Sequence, residues 1–353
     1  MSTVEAKSGV LAVDADGHVG ENGSAILEYM DYPHKEFRTG LANNGGLTPL
    51  DGQDRYLGRR LYRGPANKPE HWIEVLDKGP LEWTVLYPSI GLFSGFIKDP
   101  DYQAAYSKAY NTWISQDFCA GSNGRIMGVA LLPTYDPEEA EKELRRGASN
   151  GLVGGMFSAD GSHLLGDKKF DCVYKAAEEL NVSISIHASG SSLAPGAEIF
   201  PKFIQAHTVA HPYGILRQFT NMMFEGVFQK FPRTRFGFLE AGCTWLPWWL
   251  DRMDEEFQHR GEVDAPHLSF PPSNFVHQGG NIFFACEAGE RLLEPVMNTL
   301  GDDIIMYASD YPHWDGTYPD SLKQLSDRPL LSKAQKYSVL RGSAERFYGL
   351  VVL

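Results

Sequence analysis

Eight short apolar runs, each followed by a longer stretch of helical period, constrain the fold of this chain more than any other feature. They are Val10–Asp14, Trp83–Tyr87, Ile126–Leu132, Val153–Phe157, Val182–His187, Arg235–Glu240, Ile282–Cys286 and Ile304–Ser309. Most are almost continuously apolar, which is the pattern of strands buried on both faces. Strands alternating with helices build parallel βα units, and eight such units are what a closed (β/α)8 barrel requires. The expectation is an α/β fold, a TIM-like (β/α)8 barrel, formed as one domain over residues 1–353.

The intervening segments carry their own signals. Asp136-Pro-Glu-Glu puts a capping side chain before a proline at the first helical position, with acids in the first turn. Tyr102–Phe118, Lys168–Leu180 and Ser332–Leu340 repeat apolar residues at helical spacing, and Phe347 and Tyr348 are expected against the outside of the barrel. Glu21–Pro80 breaks the rhythm. Its Gly, Pro, Asn and Asp content and its short elements (Ala25–Met30, Glu70–Leu76) predict an insertion after the first strand, residues 21–80. Ser192–Lys202 and Gly261–Gly280, both containing Pro and Gly, are expected as loops.

Composition narrows the class of partner. Asp+Glu 45 against Lys+Arg 32 leave a net charge of −13 over 353 residues, so clustered cations for nucleic-acid phosphates or an anionic membrane are not to be expected. A small-molecule substrate is the expected partner. With 42% hydrophobic residues the chain is too apolar for disorder. Cys119, Cys172, Cys243 and Cys286 form no CxxC pair, which points to free thiols in a reducing compartment. No secretion signal and no run of about 18 apolar residues is present, so a soluble cytoplasmic protein is expected.

The chemistry concentrates where such a barrel keeps its active site, at the C-terminal ends of the strands. Four of the eight runs end on a residue type that binds metal: Asp14-Ala-Asp16-Gly-His18, His187, Glu240 and Asp310. Residues two apart on a strand share a side, so Asp16 and His18 can face one ion while Ala15 and Gly17 face away. His187 closes an apolar run and is followed by small residues. Asp310 either binds an ion or acts as a base. Glu240 ends so apolar a run that it needs a cation or hydrogen-bond donors, and an arginine is the ordinary candidate. His207 and His211, four apart, share one helical face; His211, beside Pro212 near a helix start or bend, is the candidate to reach the site. Glu21 reads as a cap. Phe93, Phe96, Trp245 and Trp314 are candidate pocket walls. Taken singly, each residue fits a polar turn or a hydrogen-bonded core position equally well. Their coincidence at strand ends is what points to a metal centre.

These pieces resemble the amidohydrolase superfamily, in the branch of aminocarboxymuconate-semialdehyde and resorcylate-type decarboxylases. The matching segments are DADGHVGE (Asp14–Glu21), SIHASG (Ser185–Gly190), the long run His211–Phe257, SDYPHWDGTYP (Ser309–Pro319) and the terminal SAERFYGL. The resemblance implies a distorted barrel with one or two divalent ions. It puts Asp16 and His18 in the first-strand ligand positions, His187 in the fifth and Asp310 in the eighth. Two departures stand out: Asp16 replaces the first histidine of a His-x-His pair, and Glu240 stands where many members carry a histidine. Three carboxylates in one cavity exceed the charge of one ion, so either another cation holds Glu240 or it binds a second metal, with His211 a further candidate ligand. Oxygen-rich donors suit Mn or Fe, and Zn also fits.

The implied activity is metal-dependent hydrolysis or decarboxylation of a small organic substrate, with Asp310 and His211 as the proton-handling groups. Two rival readings are a dinuclear Fe/Mn oxygenase on the same fold and a non-catalytic partner subunit. The aromatic segment Trp245–Met253 is the candidate surface for a homo- or hetero-oligomer.

Overall fold

Strands that are apolar on both faces must be covered on both, and the chain does this by closing them into a ring. The computed structural model describes residues 11–36, 63–189 and 196–350. Its strands are β1 (Ala12–Val19), β2 (Leu81–Pro88), β3 (Ile126–Leu131), β4 (Gly154–Ser158), β5 (Ser183–His187), β6 (Phe236–Leu239), β7 (Ile282–Cys286) and β8 (Ile305–Tyr307). They pair in parallel and in sequence order from β1 to β8. At the remaining seam, β8 meets β1 outside the ladder: Asp310 N–H donates to the Asp16 carbonyl (3.0 Å) and His18 N–H to the Tyr311 carbonyl (2.8 Å). The result is the expected (β/α)8 barrel with helices outside it.

The strand ends differ from the sequence reading in ways that matter for the site. β1 begins later and runs to Val19, so the Asp-Ala-Asp-Gly-His motif lies within the strand, every residue buried. Its pairing with β2 shifts register between Ala12 and Asp14 and again between Asp14 and Gly17. Such bulges re-aim side chains. β6 stops at Leu239, where the next residue, Glu240, leaves the extended conformation at φ 60°; β8 stops at Tyr307, and three residues further on Asp310 takes φ 50°.

The outer layer follows the capping signals. Asp136 accepts from the N–H groups of Glu138 (3.0 Å) and Glu139 (3.1 Å) and starts the helix Pro137–Ser149. Tyr102–Phe118 forms the helix Pro100–Trp113 and then a π-turn to Cys119. Lys168–Leu180 is a short 3₁₀ turn leading into the helix Asp171–Leu180. Gly261–Gly280 is not the expected loop. The helix Leu246–Asp264 runs through Gly261, whose missing Cβ leaves room for the Phe257 ring, and Pro272 opens the helix Pro272–Gly279. The C-terminal Phe347 ring packs onto Gly237 and Phe283, and the Tyr348 hydroxyl reaches the Ala15 carbonyl at 2.6 Å. Of the expected insertion, Gly23–Glu28 and Pro69–Lys78 are helices, while residues 37–62 lie outside the described ones. Among the described residues no helix is long and apolar enough to cross a membrane.

Candidate metal centre

Four segments of the barrel send polar side chains to one point. Asp16 and His18 come from β1, His187 from the last position of β5, Glu240 from just past β6, and Asp310 with His313 from the loop after β8. Asp16 Oδ1 lies 3.1 Å from His187 Nε2 and 3.4 Å from His18 Nε2, and Asp310 Oδ1 is 3.5 Å from the same His18 nitrogen. Two ligands held about 2.1 Å from one ion stand about 3.0–3.4 Å apart in octahedral or tetrahedral geometry, so these separations suit one coordination sphere. The donor atoms form two overlapping groups, Asp16–His18–His187 and His18–Glu240–Asp310–His313, each within 4.8 Å.

The tautomers support the same conclusion. His18 Nδ1 is 2.8 Å from the Pro88 carbonyl and His187 Nδ1 is 2.7 Å from the Ala188 carbonyl. A carbonyl only accepts, so each Nδ1 carries a proton; in a neutral His18 the Nε2 lone pair then points inward, while His187 Nε2 meets Asp16 Oδ1 at 3.1 Å and offers its lone pair to an ion once its second proton is displaced. Backbone carbonyls commonly orient ligating histidines in this way. Among the described residues, His18 Nε2 and Asp16 Oδ2 are buried with no hydrogen-bond partner. Orphaned acceptors at such depth are costly unless a cation sits among them. The donor set, two imidazole nitrogens and two carboxylates, therefore fits a divalent ion.

Charge is crowded here. Burial, with His313 and His187 adding to it, holds His18 well below its usual range. Burial works against a charged His187, but Asp16 and Glu240 outweigh it and push that group up to about 9. Burial and the neighbouring Asp310 carboxylate drive Glu240 well above the ordinary range. The cation near Glu240 is not the arginine considered from sequence. His187 Nδ1 lies 3.1 Å from Oε2, while His211 Nε2 lies 3.2 Å and His313 Nδ1 3.8 Å from Oε1.

Backbone strain marks the same positions. Asn123, Asn181, Glu240 and Asp310 are the non-glycine residues with positive φ among those described. Asparagine adopts this region readily, but a glutamate or aspartate there costs about 1–3 kcal/mol and persists only where its surroundings hold it. Both strained acids are candidate ligands.

His313 escaped the sequence reading although it stands three residues past Asp310. Its Nδ1 donates to Asp310 Oδ1 (2.7 Å) and its ring stacks on His18 at 4.0 Å. Ser89 Oγ donates to the Val19 carbonyl (2.8 Å), so His313 Nε2 donates to that hydroxyl (2.9 Å) and the ring is an imidazolium. Burial opposes the charge, but Asp310, Glu240 and Asp315 push it up to about 9. A histidine separated by a proline from a strand-end acid is the signal that could have found it.

Asp14, quoted in the motif but given no role, is fully buried. It accepts from Ser309 N–H (2.8 Å), Ser309 Oγ (2.8 Å), Thr84 Oγ1 (2.9 Å) and Asp16 N–H (3.2 Å). Burial still pushes it up to about 6. Gly17 faces away from the ligand cluster. The space it leaves is for Trp72, Thr84 and Asp14, which a Cβ would meet at 2.6–2.8 Å. Glu21 does not cap the segment that follows it: Asn22 caps that helix, and Glu21 accepts instead from Gly91 N–H (2.8 Å) in the turn after β2.

Above this cluster opens a pocket of about 160 Å³, walled by Ile90, Leu92, Phe93 and Trp314 and by His207, His211 and Asp315. Both histidines of the helix Phe203–Phe224 face it, stacked 4.7 Å apart, and Pro212 lies inside that helix rather than at its start. Of the four aromatics expected as walls, Phe93 and Trp314 serve. Trp245 packs instead against Phe219 and Phe284 with Nε1 on the Gly242 carbonyl, and Phe96 is absent from the lining. In the segment considered as an oligomer surface, Leu246, Leu250 and Met253 are buried in the chain's own core, and Trp248 is exposed.

The model of a family described as amidohydrolase matches residues 84–350. A 2-amino-3-carboxymuconate-6-semialdehyde decarboxylase of Dictyostelium discoideum is 23% identical over 289 residues, 80% of this chain and 77% of that protein. Two solved structures share the fold at 18% identity. An amidohydrolase of Mycobacterium avium subsp. paratuberculosis K-10 superposes with a TM-score of 0.79 over 96% of this chain and 99% of its own. A 5-carboxyvanillate decarboxylase of Novosphingobium aromaticivorans, solved with manganese and 3-methoxy-4-hydroxy-5-nitrobenzoic acid, superposes with a TM-score of 0.72 over 99% and 100%. With the match covering most of its length, the chain belongs to the amidohydrolase family of enzymes.

Proposed function

We propose that the chain is a metal-dependent decarboxylase of a small planar carboxylic acid. The observation that carries this reading is the convergence of Asp16, His18, His187 and Asp310 below the pocket, with Asp16 Oδ2 and His18 Nε2 making no hydrogen bond among the described residues. These four residues would hold one divalent ion, and the mixed nitrogen and oxygen donors suit Mn, Fe or Zn. Decarboxylation is supported by the activities named for the Dictyostelium relative and for the carboxyvanillate neighbour. Neither the oxygenase reading nor the non-catalytic one draws support from those proteins.

When bound, the ion supplies positive charge that neutralises the substrate carboxylate and an adjacent oxygen. The chain's own groups supply the rest. Phe93 and Trp314 wall the pocket and keep a flat substrate edge-on to the ligand cluster. His313 fixes Asp310 through the 2.7 Å bond, so the carboxylate stays aimed inward. His211 faces the pocket and exchanges its proton with Glu240 across 3.2 Å. As the bond from ring carbon to carboxylate breaks, its electron pair stays on that carbon, carbon dioxide leaves, and His211 delivers a proton to the carbon. Solvent then reprotonates His211.

The test begins with metal analysis of protein purified without added metal, followed by assays for carbon dioxide release from ortho-hydroxy aromatic acids. One ion per chain, with activity lost to a chelator and restored by Mn²⁺, is the expected result. Release that persists in the chelated protein would overturn the reading. Hydrolysis of amide or lactone substrates without carbon dioxide release would assign the site to C–N or C–O cleavage instead. Glu240→Gln separates one ion from two: an unchanged metal count makes Glu240 the partner of His211 and not a ligand.

A further inference from the structure

The two segments carrying the proposed carboxylate ligands, β1 with Asp16 and the β8 loop with Asp310, meet at the one junction of the barrel that has no strand ladder. Two backbone bonds cross it, Asp310 N–H to the Asp16 carbonyl and His18 N–H to the Tyr311 carbonyl. Between them sits one buried side chain, Asp14. It joins three strands by accepting from Thr84 on β2, from the backbone of Asp16 on its own strand, and twice from Ser309, the residue before Asp310.

The bulge in β1 places it there. With the register shifted between Asp14 and Gly17, the Asp14 carboxylate turns toward the junction while Asp16 and His18 turn inward. Gly17 keeps that space clear, since a Cβ would lie 2.8 Å from Asp14 Oδ2. On the far side, Asp310 is held at φ 50°. A non-glycine residue stays in that region only when its neighbours over-determine it. Ser309 N–H, two residues past the end of β8, is bound by the Asp14 carboxylate, and the left-handed Asp310 follows it directly.

We infer that Asp14 is a positioning residue: its carboxylate clasps Ser309 and the Asp16 backbone so that the two acidic ligands are held at one ion's separation before any ion binds. The inference rests on the proposed ion site. It adds a residue that touches neither ion nor substrate, and it explains why the motif carries an aspartate two residues ahead of Asp16 and a glycine one residue after it.

The test uses Asp14→Asn and Ser309→Ala, with Tyr174→Phe as a control. That control removes a buried 2.5 Å hydrogen bond to the Leu165 carbonyl, away from the site. Three readouts are taken on the full chain: melting temperature without metal, deuterium exchange of the peptide spanning 305–313 without metal, and Mn²⁺ affinity with its electron paramagnetic resonance spectrum. Expected are folded variants in which Asp14→Asn and Ser309→Ala exchange faster over 305–313 and bind Mn²⁺ about 10–100-fold more weakly, the usual cost of removing a group that orients ligands. Tyr174→Phe should lose comparable stability and keep the parental affinity and spectrum. Parental affinity and spectrum in Ser309→Ala and Asp14→Asn would overturn the inference, as would equal weakening by Tyr174→Phe. Should Asp14→Asn fail to fold, Ser309→Ala decides alone, because it deletes one hydroxyl and keeps the backbone donor. Parental protein that binds no Mn²⁺ would overturn the ion site itself, an outcome distinct from a failed clasp.

Discussion

The barrel has two unlike halves. Around β6 and β7, Phe219 of the outer helix meets Phe238 (5.1 Å), Phe284 (5.6 Å) and Trp245 (5.9 Å) edge-to-face and Phe228 (6.0 Å) at a tilt, an all-aromatic cluster. Around β1 and β8 the buried residues include the polar Asp14, Asp16, His18, Ser309 and Asp310, with strained backbone at the last. The first half gains from dispersion and the removal of apolar area from water. The second bears unpaired polar atoms and an uncommon conformation, features that lower stability and persist where a ligand repays them. Stability and chemistry therefore rest on different residues of adjoining strands, which meet at Glu240 past the end of β6.

If that division is right, damage to each half should have a separate signature. The largest effect is expected from His187→Ala or Asp16→Ala, which should abolish metal binding and activity, read by metal analysis and carbon dioxide release, with circular dichroism showing a folded barrel. Full metal content in both would remove the proposed ligand set. Phe219→Ala is the converse case. Excavating the aromatic cluster should cost about 3–5 kcal/mol in denaturant unfolding while the folded fraction keeps its metal stoichiometry; a loss of metal from still-folded protein would show that the halves are coupled. His211→Asn should lower kcat by about 10²–10⁴-fold, the contribution of a positioned proton donor, with bound metal unchanged. Loss of the ion instead would make His211 a ligand. The smallest effect belongs to Asp136→Ala, far from the pocket in role. Removing this helix cap should cost about 1 kcal/mol of stability and leave kcat and metal affinity at parental values.

The same division explains what could be read before the structure. Apolar runs such as Ile282–Cys286 announce buried strands because burial on both faces leaves only one residue class, and all eight appear within a few residues of their expected bounds. Asp136 was legible as a cap because the signal is local, contained in four residues. Asp16, His18, His187 and Asp310 stood out because strand ends of a parallel barrel converge. Some errors lie where distant parts of the chain decide, and one lies within a single helix. Trp245 and Trp314 are equally aromatic, yet one fills the core beside Phe284 and the other walls the pocket. Gly261–Gly280 has loop composition but supports two helices, since Phe257 occupies the space over Gly261.

The amino-acid order by itself determined the number and parallel sense of the strands, the helix starts, and which acids and histidines would lie at one end of the ring, since periodicity and capping act over a few residues. Only the tertiary structure decided that Asp14 faces Ser309 and Thr84 while Asp16 faces His187, that His313 stacks on His18, and that His211 and not an arginine stands beside Glu240. Those contacts join residues far apart in the chain, or depend on a register shift and a left-handed backbone that leave no period to read.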